Sequence, residues 1–144
     1  MVISYRRTAI AQCLLAGLAL LATAACAPQE RILSAEESAS VLAYSEAKTS
    51  NMMEGLQSGD YTAFSRDFDD AMRTALPAEK FPAFRDDVRA KIGNLQTRTV
   101  DSVRQNGDFV AVVYAARFTA NDHVTLRVVF RAAPPHQIGG LFYK

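Results

Sequence analysis

Asp101 and Tyr114 are the two side chains in this sequence best placed to share a proton. If Asn106-Gly107 closes a two-residue turn, Gln105 faces Asp108, Val103 faces Val110 and Asp101 faces Val112. Side chains alternate between the faces of a strand, so Asp101 then projects onto the same apolar face as Tyr114. A carboxylate there must be hydrogen-bonded, paired or shifted toward its neutral form, because burying an isolated charge is costly. On this expectation Asp101 is an acid or base in a candidate pocket, with Tyr114 as donor and Tyr61 and Phe64 lining the space. The alternative puts Asp101 at the sheet rim, or turned outward by a bulge, with no role beyond solubility. One carboxylate without a placed partner does not define general acid–base catalysis, so no catalytic residue is assigned.

Other reactive side chains are few. Cys13 and Cys26 are the only cysteines, and the sequence beyond them has no thiol, no internal disulfide and no cysteine metal site. The two histidines, His123 in a polar loop beside Asn121 and Asp122 and His136 after Pro134-Pro135, leave little for zinc ligation or a histidine triad. Asp67, Asp69 and Asp70 invite a calcium reading, but the glycine and terminal glutamate of an EF-hand are missing. They read instead as a solvated helix face. Met52-Met53 reads as core filling rather than a ligand site. No phosphate-cradling loop, nucleophile elbow or dinucleotide fingerprint occurs, so neither a cofactor nor a metal is expected. Lys and Arg number 16 against 15 Asp and Glu, and two of the 16 are Arg6 and Arg7 at the N-terminal end. The rest is close to neutral and carries no nucleic-acid footprint.

The elements that must position these residues are organised by Phe109 to Arg131. Along Val110, Val112, Tyr114, Ala116 and Phe118 the even positions are apolar, and so are Val124, Leu126, Val128 and Phe130. Pairing Phe118 opposite Val124 across the loop 119–123 keeps all even positions on one side. A slip by one residue would put Arg117, Arg127 and Arg131 there instead, which specifies the face strongly. These arginines form a basic strip on the other face, read as keeping that face soluble, with Phe109, Val113 and Val129 apolar among them.

Upstream, Ser34 and Glu37 fit a capping box for a first helix from Ser34 to Gln57, stopped at Gly59. Asp60 caps a second, whose Tyr61, Phe64, Phe68 and Met72 share a face. A third runs from about Glu79 to Ile92, with Pro82 in its first turn. It buries Phe81, Phe84, Val88 and Ile92 and turns Arg85, Asp86, Arg89 and Lys91 outward. Thr97 to Arg104 is the first strand, and Gln137 to Tyr143 the last, with a bulge at Gly139-Gly140. The expected fold is α+β: three N-terminal helices packed on a curved, cone-like, four-stranded antiparallel sheet.

The N-terminal end reads as an export signal. Arg6 and Arg7 precede the apolar run 9–21, which is short for a spanning helix and contains Gln12. The run ends in Leu21-Ala22-Thr23-Ala24-Ala25-Cys26-Ala27, which resembles a bacterial lipobox, with the cysteine lipidated and first in the mature chain. Ordinary cleavage after Ala22-Thr23-Ala24 is the alternative. The expected division is a lipoprotein-type signal peptide at 1–25, a tether at 26–33 and the α+β domain at 34–144. Acyl chains contribute about 0.8 kcal/mol per buried methylene, enough in combination to hold a protein on a membrane. Ala27 after the cysteine implies, by the sorting convention for such signals, the periplasmic side of the outer membrane in a Gram-negative cell.

A family resemblance accompanies these features. Gly59 to Phe68, the Ile92-Gly93 stop, Val113 to Phe118, Val124 to Phe130 and Ile138 to Phe142 are similar, in order, to an uncharacterised bacterial and archaeal family of small exported domains. That family has the nuclear transport factor two-like (cystatin-like cone) fold, and its members are often lipid-anchored and sometimes fused to hydrolases. The resemblance implies a sheet wrapped around the long first helix, with a cavity at the open end, and it transfers no catalytic residue. The expected activity is non-enzymatic: an envelope lipoprotein using the cone cavity for a small apolar ligand or a protein partner. One alternative is acid–base chemistry by Asp101 and Tyr114, and another is a structural module that forms a homodimer through the outer sheet face.

Overall fold

A computed structural model describes residues 29–144. The expected signal peptide at 1–25 and Cys26 lie outside the described residues. In chain order the elements are β1 (Arg31–Ile32), α1 (Ala35–Ser58), α2 (Tyr61–Ser65), α3 (Asp70–Ala75), α4 (Phe81–Lys91), β2 (Leu95–Asn106), β3 (Phe109–Phe118), β4 (Val124–Arg131) and β5 (Ile138–Tyr143). The five strands form one open antiparallel sheet in the order β1-β2-β3-β4-β5. The class is α+β as expected, but with four helices and five strands rather than three and four. No helix among the described residues is long and apolar enough to cross a membrane.

The extra strand comes from the stretch expected to be a tether. Arg31 pairs with Gln105 and Ile32 with Arg104, and the Leu33 N–H donates to the Val103 carbonyl at 2.8 Å. Arg31 also donates to both carboxylate oxygens of Glu37, at 3.1 and 2.8 Å. Glu37 is the third residue of the capping box that starts α1: it accepts from the Ser34 N–H while the Ser34 hydroxyl accepts from the Glu37 N–H. The Arg31 guanidinium, helped by the Ser34 bonds, pulls the Glu37 carboxyl down to about 2 from an ordinary 4.5. A carboxyl whose folded pKa is depressed contributes stability in full above its unfolded pKa and loses it as pH falls toward the folded one. Between pH 4.5 and 2 the amides of Arg31 to Ser38 are therefore expected to lose hydrogen-exchange protection. Glu37→Gln should abolish that dependence, and an unchanged acid profile in the variant would contradict the assignment.

At its other end α1 stops at Gly59, which takes φ 83° and closes on the Gly55 carbonyl. The last turn of α1 has no basic residue of its own. Arg85, expected to point away from the core, instead donates to the Leu56 and Gln57 carbonyls at 3.1 Å each, satisfying the exposed end of the α1 ladder.

The expected second helix is two. Phe64 and Phe68 are fully buried as the spacing predicts, yet the chain between α2 and α3 leaves helical geometry to reach β5. The Asp69 N–H donates to the Ile138 carbonyl at 2.9 Å and the Ile138 N–H to the Asp67 carbonyl at 2.7 Å. Asp69 then caps α3, accepting from the Met72 N–H at 2.8 Å, and pairs with Arg131 at 2.7 Å. The aspartate run is therefore no solvated helix face: Asp69 is buried, and Asp67 lies 3.5 Å from the ammonium of Lys48.

Every even residue named for β3 and β4 is buried, from Val110 to Phe130. The absolute pairing differs: Val124 faces Ala116 rather than Phe118. A two-residue slip preserves which side chains face the core, so the apolar pattern cannot detect it. The loop decides instead, with the Phe118 N–H donating to the Asn121 carbonyl at 2.7 Å. At the other hairpin Asn106 pairs with Phe109, so the turn is Gly107-Asp108, one residue later than expected. The bulge at β5 is present, with Gly139 unpaired between the Phe130–Ile138 and Val129–Gly140 pairs.

Candidate functional site

The four residues expected around a pocket do not come together. Val100 pairs with Tyr114 and Ser102 with Val113, which leaves Asp101 as the extra residue of a β-bulge. Its side chain is exposed on the outer sheet face, accepting from the Ser102 hydroxyl at 3.1 Å. The bulge lets Val100 and Val103 both face inward and spares the core a carboxylate.

Tyr114, Phe64 and Tyr61 are on the inner side, but as packing rather than lining. Phe64 is fully buried, with ring centroids 4.9 Å from Phe68 and 4.7 Å from Phe81. Tyr61 leans on Phe81, and its hydroxyl donates to the Leu76 carbonyl at 3.0 Å. The space left between Met53, Leu56, Val88 and Phe118 amounts to about 10 Å³, no more than a single water needs.

The partner of Tyr114 is one the sequence reading missed. Its hydroxyl donates to Glu46 Oε1 at 2.7 Å and lies 3.3 Å from Thr49 Oγ1. Arg98 donates to Glu46 Oε2 at 2.8 Å and to Ser50 Oγ at 2.9 Å, with its guanidinium carbon 4.7 Å above the Tyr114 ring. Burial first, and then the Glu46 hydrogen bond, push the Tyr114 phenol well above its ordinary value. It is a donor that keeps its proton through any ordinary pH. These groups answer one another across α1, β2 and β3, which makes the cluster a clamp on the core. Glu46, Thr49 and Ser50 fall at helical spacings of three and four, and that is the signal by which their shared face was legible.

The outer sheet face is different in kind. Two adjoining grooves of about 410 and 540 Å³ run across it and share Arg127 and Phe142. Phe142 is 59 % exposed, Phe109 37 % and, at the sheet edge, Ile32 65 %. The arginines expected as a solvated strip are all partnered: Arg117 with Asp122 at 3.7 Å, Arg131 with Asp69, and Arg127 with Glu30 at 2.7 Å. Glu30 also lies 3.5 Å from Arg104, so the carboxylate just before the edge strand β1 reaches across this face. The Arg127 guanidinium holds the Glu30 carboxyl below its ordinary range. His123 is exposed beside Asp122, whereas His136 stacks on Tyr44 at 3.9 Å and so belongs to the packing.

Fold and surface together define an α+β domain with a filled helix–sheet interior and its accessible grooves on the uncovered side of the sheet. Residues 49–134 match the family described as Protein of unknown function (DUF3887), and the chain belongs to that family. No curated protein and no solved structure matches the chain.

Proposed function

We propose that this chain is a lipid-anchored envelope protein whose nuclear transport factor two-like domain is a non-enzymatic binding module working through its outer sheet face. One observation carries the choice of surface: the interior holds side chains where a cone cavity was expected, while Phe142 and Phe109 stand exposed beside the grooves outside. The space beside Met53 and Leu56 holds about 10 Å³, and Asp101 and Tyr114 lie on opposite sides of the sheet. Support for the anchor comes from the sequence: Arg6, Arg7, the apolar run and Ala24-Ala25-Cys26. The domain sits on the periplasmic side of the envelope, on the outer membrane in a Gram-negative cell.

Native mass spectrometry of the protein purified from its own membrane tests this reading. The expected result is a chain beginning at an acylated Cys26, with no apolar small molecule bound. An unmodified chain beginning at Ala25 or Met1 would remove the anchor, and a stoichiometric small ligand would restore the cavity.

A further inference from the structure

We infer that the outer sheet face is a membrane-docking surface, lying against the headgroup layer of the bilayer that holds the Cys26 lipid. The inference rests on the lipid-anchored reading, and two observations carry it further.

The first is where the chain enters the fold. Glu30 directly precedes the edge strand β1, and its carboxylate reaches over the outer face to Arg104 on β2 and Arg127 on β4. Cys26 precedes Glu30 by four residues, which at full extension reach about 14 Å. Sheet and helix layers pack roughly 10 Å apart, and the helices carry side chains beyond that. A tether this short, leaving at the sheet edge with Glu30 turned onto the outer face, holds that face nearer the bilayer than the helix layer behind it.

The second is the chemistry of the face. Ile32, Phe109 and Phe142 are the large apolar residues that the described structure leaves exposed; Phe109 and Phe142 stand on this face and Ile32 at its edge, pairing with Arg104. Apolar tips among long basic side chains suit an interface, where rings enter the headgroup boundary and arginine stems run beside them.

The chain contains no tryptophan, which allows a direct test. Phe142→Trp puts a single indole on the proposed face, and Ala83→Trp puts one on the exposed side of α4 in the helix layer. Each full-length variant is purified with its processed N-terminus and reconstituted in phosphatidylethanolamine–phosphatidylglycerol vesicles carrying brominated acyl chains. The indole at 142 is expected to be blue-shifted and quenched several-fold more than the one at 83. Equal quenching in protein that floats with the vesicles overturns the docking face and leaves the anchor standing. If the N-terminus carries no lipid and the protein does not float, the anchor fails, and quenching at 142 by added anionic vesicles then decides the face alone: its presence supports the inference and its absence overturns it. A doubled mass with an unquenched indole at 142 assigns the face to a second copy of the chain and overturns the membrane.

Discussion

Phe64→Ala is expected to cost about 3–5 kcal/mol of folding stability, a large share of the 5–15 kcal/mol typical of a whole domain. The value separates two readings of the same residue. As the wall of an open cavity, Phe64 would already face a void, and truncation would remove only its own transfer energy, about 1.5–3 kcal/mol at most. As packed core it touches Phe68, Phe81 and Phe84, at centroid distances of 4.9, 4.7 and 6.0 Å, and its loss leaves a hole those rings cannot fill. They are held from two elements, the turn before α3 and the first turn of α4. Urea titration of wild type and variant reads the difference. A loss below about 3 kcal/mol, with unchanged slope, would match the cavity wall and reopen the cavity.

The residues that carried most of the fold are those whose pattern has one consistent period. The even positions from Val110 to Phe118 and from Val124 to Phe130 are apolar without exception, and all of them are buried. Ser34, Glu37 and Gly59 marked both ends of α1 because capping is local chemistry, decided within a few residues. What was not legible depends on partners far along the chain. The turn between α2 and α3 is shaped by Ile138, some seventy residues away, and Tyr61 to Met72 reads as continuous helix without it. The β1 strand has only two residues, too short for any period, and exists because β2 offers it an edge.

Asp101 followed the alternative reading, turned outward by a bulge, for a reason the sequence contains. Val100 and Val103 are the apolar residues around it, three apart, and an unbroken strand cannot turn both inward. A bulge between them resolves the conflict and expels Asp101 in the same step. The expectation tracked the hairpin turn, which moved by one residue without changing the facing parity, while the deciding information lay two residues from the carboxylate. The same displacement moved the functional reading outward: Asp101 now borders the groove that contains Arg127 and Phe142.

Gly55→Ala is expected to destabilise the domain by about 2–3 kcal/mol, against the usual sign of this substitution. In a helix interior alanine is favoured over glycine by roughly 1 kcal/mol, so an ordinary site would gain. Gly55 lies in α1 where α2 crosses closest. A Cβ there would stand 2.3 Å from the Phe64 nitrogen, 2.7 Å from its Cα and 2.9 Å from the Ala63 carbonyl carbon. These are backbone atoms, so no rotamer change can relieve the overlap and α2 must move as a body. It has nowhere to go. Asn51 donates to the Ala63 carbonyl at 2.9 Å, the Asp60 N–H returns to the Gly55 carbonyl at 3.0 Å, and the Phe64 ring is locked in the core. Overpacking of about 1–3 kcal/mol, compounded by these lost bonds, outweighs the propensity gain. Gly59→Ala supplies the contrast: its φ of 83° strains an alanine, but the nearest atom, at 3.1 Å, belongs to the Arg85 side chain rather than to backbone, so the loss should be nearer 1 kcal/mol. Thermal or urea unfolding of the two variants orders them. A stabilised Gly55→Ala protein would mean that α2 does not lie against α1, and with it the packed Phe64 that closes the interior would be lost.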